Sequence, residues 1–304
     1  MKAIFFPGCL IPIKYPQMEV ALRRTLPALG IEIVDLPGFG CCPDPIYFQA
    51  ADRVAWLTLA ARNLCLAEEA GLDVFTICSG CTGTLCEANH VLKSDPELRE
   101  RVNRRLSRVG RRYQGTIEVR HVIVWLRDRV GLERVRASVR RPLTGVRVAL
   151  HYGCHLLKPS KIMQVDDPDD PRILHELVQA LGAEPVLHSE RFLCCGKACV
   201  DPDLPLKMTS TVLGSVREAR VDCMGLICPT CFSSFDTGQL LLARKTGEAW
   251  QIPPVYYFQL LGLAQGLSAE ELGLTRHRIP PTRVLEKLGL DSGTSQGLPD
   301  AAGS

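Results

Sequence analysis

The chain has 304 residues, 46% of them apolar, 23% charged and 6% aromatic. That is an ordinary globular composition, which excludes disordered, collagen-like and disulfide-stapled miniprotein classes; at ~150 residues per domain it suggests two domains. Net charge is +3, from 36 basic and 33 acidic residues, and no apolar run approaches the roughly 18 residues of a membrane-spanning helix, so neither a nucleic-acid partner nor a membrane span is expected.

The opening residues, Lys2 to Cys9 (KAIFFPGC), read as a short strand entering a turn rather than as a signal peptide. A helix follows over Pro16 to Gly30, with Val20, Leu22, Leu26 and Leu29 at helical spacing and glycine at its close. Ile31 to Leu36 forms a second strand leading to Cys41-Cys42, and a helix over about Ala50 to Ala70 leads to a third strand ending at Cys78-Ser79-Gly80-Cys81. A further helix, a short strand over Glu118 to Val124 and an amphipathic stretch complete this half.

The same order then begins again. Arg147 to Cys154 (RVALHYGC) matches the opening strand, and a helix over Arg172 to Gly182 leads to a strand over Ala183 to Leu187 and then to Cys194-Cys195. A helix over Leu206 to Arg220 leads to Cys228-Pro229-Thr230-Cys231, and a short strand over Pro254 to Phe258 closes the copy. This internal duplication predicts an α/β fold of two pseudo-symmetric repeats of parallel βαβ type, each with its cysteines at the carboxyl ends of strands, where such sheets gather ligands. The expected divisions are an N-terminal cysteine-rich domain over 1–143, a C-terminal one over 144–262, and a partly mobile tail over 263–304, the Gly- and Ser-rich stretch from Gly289 most of all.

Fourteen cysteines in a chain able to bury a full core, without a secretory start, point to metal or redox chemistry in a reducing cytoplasm rather than to disulfides. Ten of them are in register: Cys9-x31-Cys41-Cys42-x35-Cys78-x2-Cys81 and Cys154-x39-Cys194-Cys195-x32-Cys228-x2-Cys231. Tetrahedral zinc or a cubane cluster takes four thiolates, so a fifth points to a cluster of unusual nuclearity or to a cysteine kept for chemistry. A single zinc per half is the plainer alternative. Cys65, Cys86, Cys199 and Cys223 lie outside the pattern and read as buried apolar residues. Tyr256, Tyr257 and Phe258 read as core, and the seven arginines between Arg99 and Arg112 as a solvated helix face.

The doubled pattern, with Gly153-Cys154-His155-Leu156-Leu157-Lys158-Pro159-Ser160, Cys41-Cys42-Pro43 and Cys228-Pro229-Thr230-Cys231-Phe232, resembles the B-subunit family of heterodisulfide reductase from the N-terminus to about residue 280. The resemblance implies two noncubane four-iron, four-sulfur clusters. One would be held by Cys9, Cys41, Cys42, Cys78 and Cys81, the other by Cys154, Cys194, Cys195, Cys228 and Cys231. It implies an oxidoreductase that reduces a disulfide, CoM-S-S-CoB or a related one, by two one-electron steps. No catalytic residue separate from the cluster ligands is expected. The chain carries neither a dinucleotide fingerprint nor a ferredoxin-type cysteine run, so electrons must come from partners. The family implies two of them, one ferredoxin-like and one flavin-containing.

Three alternatives stand beside this reading. They are one cluster plus one zinc, a related sulfur-oxidising complex acting on persulfide or lipoate-bound sulfur, and a zinc-stapled scaffold without catalysis. Family members from methanogens tend to follow the second cysteine pair with small residues, whereas here Gly196 is followed by Lys197-Ala198-Cys199. The lysine is a candidate contact for an anionic substrate, as are Lys158 and Lys161, and His151 and His155 are candidate neighbours of a cluster sulfur.

Overall fold

The computed structural model describes residues 1–197, 199, 201 and 203–290. Eight strands form two four-stranded, all-parallel sheets. In the first half β1 (Lys2–Phe6), β2 (Glu32–Val34), β3 (Val74–Thr76) and β4 (Val119–His121) lie in the order β2-β1-β3-β4. In the second half β5 (Arg147–Leu150), β6 (Glu184–Val186), β7 (Cys223–Leu226) and β8 (Pro254–Tyr256) repeat it as β6-β5-β7-β8. The pseudo-symmetric βαβ repeats expected from sequence are therefore present, each with four strands.

Covering helices make the central strands continuously apolar. Ala3 to Phe6 and Cys223 to Leu226 are buried at every position, while the edge strands β2 and β6 are only three residues long and expose Glu32 and Glu184. Helix boundaries follow local chemistry. The Asp52 side chain accepts from Ala55 N at 2.9 Å to start helix Arg53–Ala70, and Gly71 closes it at φ 66°. Asp95 accepts from Leu98 N at 2.9 Å to start helix Pro96–Leu106.

Two expected strands are shorter than their sequences suggest. The run from Glu118 to Val124 leaves the sheet at His121, whose Nδ1 accepts from Ile123 N at 3.3 Å and starts helix Val122–Trp125. Likewise β8 ends at Tyr256, where Gln259 Oε1 accepts from Tyr256 N at 3.0 Å and starts helix Tyr257–Ala264.

The halves interlock. Helix Tyr257–Ala264 of the second half packs on helix Pro16–Thr25 of the first, and helix Ile173–Ala180 packs on Val122–Trp125 and Leu132–Ala137. Residues after 262 continue this packing: Leu272, Val284 and Leu285 are buried, and Lys287 Nζ reaches Asp222 Oδ2 at 2.6 Å. The stretch from Gly289 expected to be mobile lies, from residue 291 on, outside the described residues.

Candidate metal centre

Each half delivers its cysteines by the same three devices. β1 and β5 run into Gly8 and Gly153, both left-handed at φ 67° and 69°, which turn the chain so that Cys9 and Cys154 face the sheet ends. Neither glycine has room to spare: an added Cβ would stand 2.9 Å from Cys81 Sγ at Gly8 and 3.3 Å from Cys231 Sγ at Gly153. The paired cysteines sit on loops past β2 and β6. Asn63 holds the first loop, accepting from Gly40 N and donating to Cys41 O, both at 3.0 Å. Cys78 and Cys228, third, are the N-caps of helices Ser79–Ser94 and Pro229–Thr246, so each Cys-x-x-Cys lies at a helix N-terminus, where unpaired N–H groups favour a thiolate.

All ten in-register cysteines come together. Their side chains interact as one continuous series, Cys9, Cys41, Cys42, Cys81, Cys78, Cys228, Cys231, Cys195, Cys194, Cys154, whose order in the second half mirrors that in the first. Cys154 and Cys194 Sγ are 3.8 Å apart. The first five line a cavity of about 180 Å³ and the second five an adjoining one of about 110 Å³, with Asp44, Pro45, Gly80 and Thr230 common to both. Among the described residues, no group of three or more Cys, His, Asp or Glu side chains is already arranged to hold a metal ion.

Crowding and burial set the protonation of this series. Hydrogen bonds from neighbouring thiols hold Cys42, Cys194 and Cys228 in the thiolate direction. Cys41, Cys78, Cys81, Cys154, Cys195 and Cys231 are pushed the other way, first by the neighbouring cysteine each bonds and then by burial. Without added positive charge the set cannot ionise together. Soft thiolates around a confined space suit a polynuclear iron core, which would supply that charge.

Other candidates fall into place around the cavities. Lys197 and His155 line the smaller one. His155 also lines an open cleft of about 760 Å³ between the halves, with Cys154, Lys158 and Lys161 from the second half and Gln49 and Glu87 from the first. His151 is buried and lines neither space; both its ring nitrogens lack a hydrogen-bond partner, and burial holds its pKa down to about 3. Cys65, Cys86 and Cys223 are buried apolar positions, as read from sequence, whereas Cys199 is half-buried with its Sγ 3.7 Å from Met208 Sδ. In the arginine run, Arg111 pairs with Glu69 and Arg112 with Glu100.

Tyr256 and His121 are the residues that sequence reasoning missed at this site. The Tyr256 hydroxyl bonds the carbonyls of Ile77 and Ile227, which directly precede Cys78 and Cys228, and His121 Nε2 lies 3.1 Å from the Ile227 carbonyl. Their place at the end of the fourth strand in each repeat was the available signal.

Comparison with known proteins agrees with the duplicated architecture. The cysteine-rich domain family termed CCG matches residues 3–86 and 148–236. The chain is 41% identical over 291 residues to the B-subunit of the ferredoxin/F(420)H(2)-dependent CoB-CoM heterodisulfide reductase from Methanosarcina acetivorans, covering 94% of this chain and 97% of that one. It is 33% identical over 282 residues to the 8-methylmenaquinol:fumarate reductase membrane anchor subunit of Wolinella succinogenes, covering 92% and 98%. A crystal structure of a hypothetical protein from Helicobacter pylori shares the fold at a TM-score of 0.72 and 17% identity, over 91% of this chain and 52% of that one. No helix among the described residues is long and apolar enough to cross a membrane. With its two CCG repeats and its full-length likeness to these reductase proteins, the chain belongs to the B-subunit family of heterodisulfide reductase.

Proposed function

We propose that the chain is the disulfide-cleaving iron-sulfur component of a cytoplasmic heterodisulfide reductase-type complex, with one noncubane four-iron cluster in each cavity. The observation that carries this reading is the gathering of ten thiols as two sets of five around adjoining spaces. Cys9, Cys41, Cys42, Cys78 and Cys81 would hold one core, and Cys154, Cys194, Cys195, Cys228 and Cys231 the other. Five thiols line each space, one more than the four that a lone tetrahedral zinc takes.

Reducing RSSR to two RSH takes two electrons and two protons, and two such cores, when bound, supply one electron each. The chain's own residues do the rest. The inter-half cleft admits the disulfide beside Cys154, and Lys158 and Lys161 are its cationic side chains, set on a lining that also carries Glu87 and Asp169. His155, which lines both cleft and cavity, is placed to pass a proton to a departing thiolate sulfur. Electrons enter from a ferredoxin-like partner, itself supplied by a flavin-containing one, and exposed Cys9 and Cys41 bring the first cavity to the surface.

A second reading is favoured by the fumarate reductase relative: the same two centres would pass electrons to a partner that reduces something other than a disulfide. The test is anaerobic purification with native partners, analysis of iron, zinc and acid-labile sulfide, and assay of candidate disulfides. About eight iron and eight sulfide per chain with disulfide turnover is the expected result by the family resemblance. Zinc without sulfide overturns the cluster assignment, and loaded clusters without disulfide turnover favour the second reading.

A further inference from the structure

Behind the cysteines the halves meet through a matched pair of buried side chains. His121 and Tyr256 end β4 and β8, in register with Thr76 and Leu226, so they occupy equivalent positions in the two repeats. Both have 0% exposure. Tyr256 Oη bonds the carbonyl of Ile227 at 2.9 Å and that of Ile77. His121 Nε2 bonds the Ile227 carbonyl at 3.1 Å and also faces that of Ile77. Because His121 Nδ1 accepts from Ile123 N at 3.3 Å, its proton sits on Nε2. One O–H and one N–H therefore meet two carbonyls, a closed square with donors and acceptors in balance.

The square sits one peptide away from Cys78 and Cys228, which open the two Cys-x-x-Cys turns whose Gly80 and Thr230 line both cavities. Ile77 and Ile227 lead directly into Cys78 and Cys228, so a hydroxyl shared by their carbonyls brings the two Cys-x-x-Cys turns together across the seam. An apolar seam would hold the halves together equally well, but it would let them slide. In a dry interior a displaced carbonyl finds no other donor, so directional bonds fix the register.

We propose that Tyr256 and His121 are positioning residues that hold Cys78 against Cys228, so that the two cysteine sets act as one coupled pair rather than as two independent centres. The proposal rests on the iron-sulfur reading above. Neither side chain touches substrate; both act through the backbone of the Cys-x-x-Cys turns.

The test is Tyr256→Phe, with Tyr257→Phe as a matched control. Tyr257 is also buried, but its hydroxyl points to the Leu177 carbonyl at 3.5 Å. Iron and sulfide content are measured on the anaerobically purified protein with its partners, and spin–spin interaction between the reduced centres is read by electron paramagnetic resonance. Tyr256→Phe should carry the wild-type iron and sulfide with the inter-centre interaction weakened or lost, while Tyr257→Phe matches wild type. Unchanged interaction in Tyr256→Phe overturns the proposal. Should that variant not load iron, His121→Gln, which keeps a donor at the Nε2 reach, should retain the interaction and His121→Phe lose it; equal behaviour of the two is the overturning result. A wild-type protein without iron would instead defeat the functional reading. Positioning is then read from the rate at which diamide joins Cys78 to Cys228, a rate that should fall in Tyr256→Phe and whose constancy overturns the proposal.

Discussion

Replacing Gly8 by alanine tests whether the turn after β1 sets the position of the first thiol cluster. At φ 67° an alanine costs roughly 1–2 kcal/mol in backbone strain. Its methyl carbon would also stand 2.9 Å from Cys81 Sγ. That sulfur has little freedom, since Cys81 is buried in the first turn of helix Ser79–Ser94 and its thiol interacts with Cys42 and Cys78. Relieving the contact adds an overpacking cost of about 1–3 kcal/mol. Gly153 is the internal control: φ is 69°, but the added carbon would stand 3.3 Å from Cys231 Sγ, so mainly the strain remains. Gly8→Ala should therefore lose about 2–5 kcal/mol and Gly153→Ala about 1–2 kcal/mol in denaturant unfolding. Only Gly8→Ala should lower iron and sulfide content, by emptying the first centre. Equal stability and full iron in both variants would refute the idea that these turns press against the ligands.

Other expectations follow from the same geometry. Cys41→Ser should alter the spectrum of one centre only, whereas Cys78→Ser, whose thiol touches Cys228, should alter both. Cys65→Ala removes a buried sulfur far from the series in sequence and contact, so it should cost about 1 kcal/mol in unfolding while iron content stays at the wild-type value. Burial lowers the pKa of His277 from 6.5 to about 3, so the unfolded chain binds a proton that the folded one refuses between those pH values. Stability from this group is complete above pH 6.5 and is lost as pH falls toward 3, by about 1.4 kcal/mol per unit. His277→Asn should flatten that limb of the stability profile by one proton, and an unchanged slope would count against the shift.

What the sequence made legible was whatever repeats or punctuates. The two KAIFFPGC-like openings, the glycines that close helices and the spacing of ten cysteines recur in register, and each reflects a local requirement of backbone or ligand chemistry. The fourth strand of the first half is shorter than its sequence suggests because Val122-Ile123-Val124 is β-branched, while the His121 side chain, bonding two residues ahead, caps a helix there. The reciprocal packing of each half's helices on the other half left no periodic signal, since any apolar face serves equally. Tyr256 was read as core, and it is buried. Its hydroxyl partners, however, are the carbonyls that follow β3 and β7 in different halves, a convergence that only the folded chain defines.

Duplication also exposes where the halves have diverged. The position three residues before the first cysteine of each set is Phe6 in one half and His151 in the other, both 1% exposed. Phe6 packs edge-on to Phe39 of the loop before Cys41 at 5.0 Å, whereas His151 packs edge-on to Phe235 of helix Pro229–Thr246 at 4.9 Å, so equally buried rings at matched positions have different neighbours. The imidazole nonetheless leaves both nitrogens unpaired. An unpaired buried polar group costs about 1–3 kcal/mol, and the first half shows that an apolar ring satisfies the fold there. His151→Phe should therefore leave stability unchanged or raise it by about 1–2 kcal/mol, allowing for the larger ring. A loss of more than about 2 kcal/mol would mean that the imidazole has a bonding partner in the working protein. Since Cys228 and Cys194 are the cysteines whose charge reaches the ring, that partner would then be sought on the second centre.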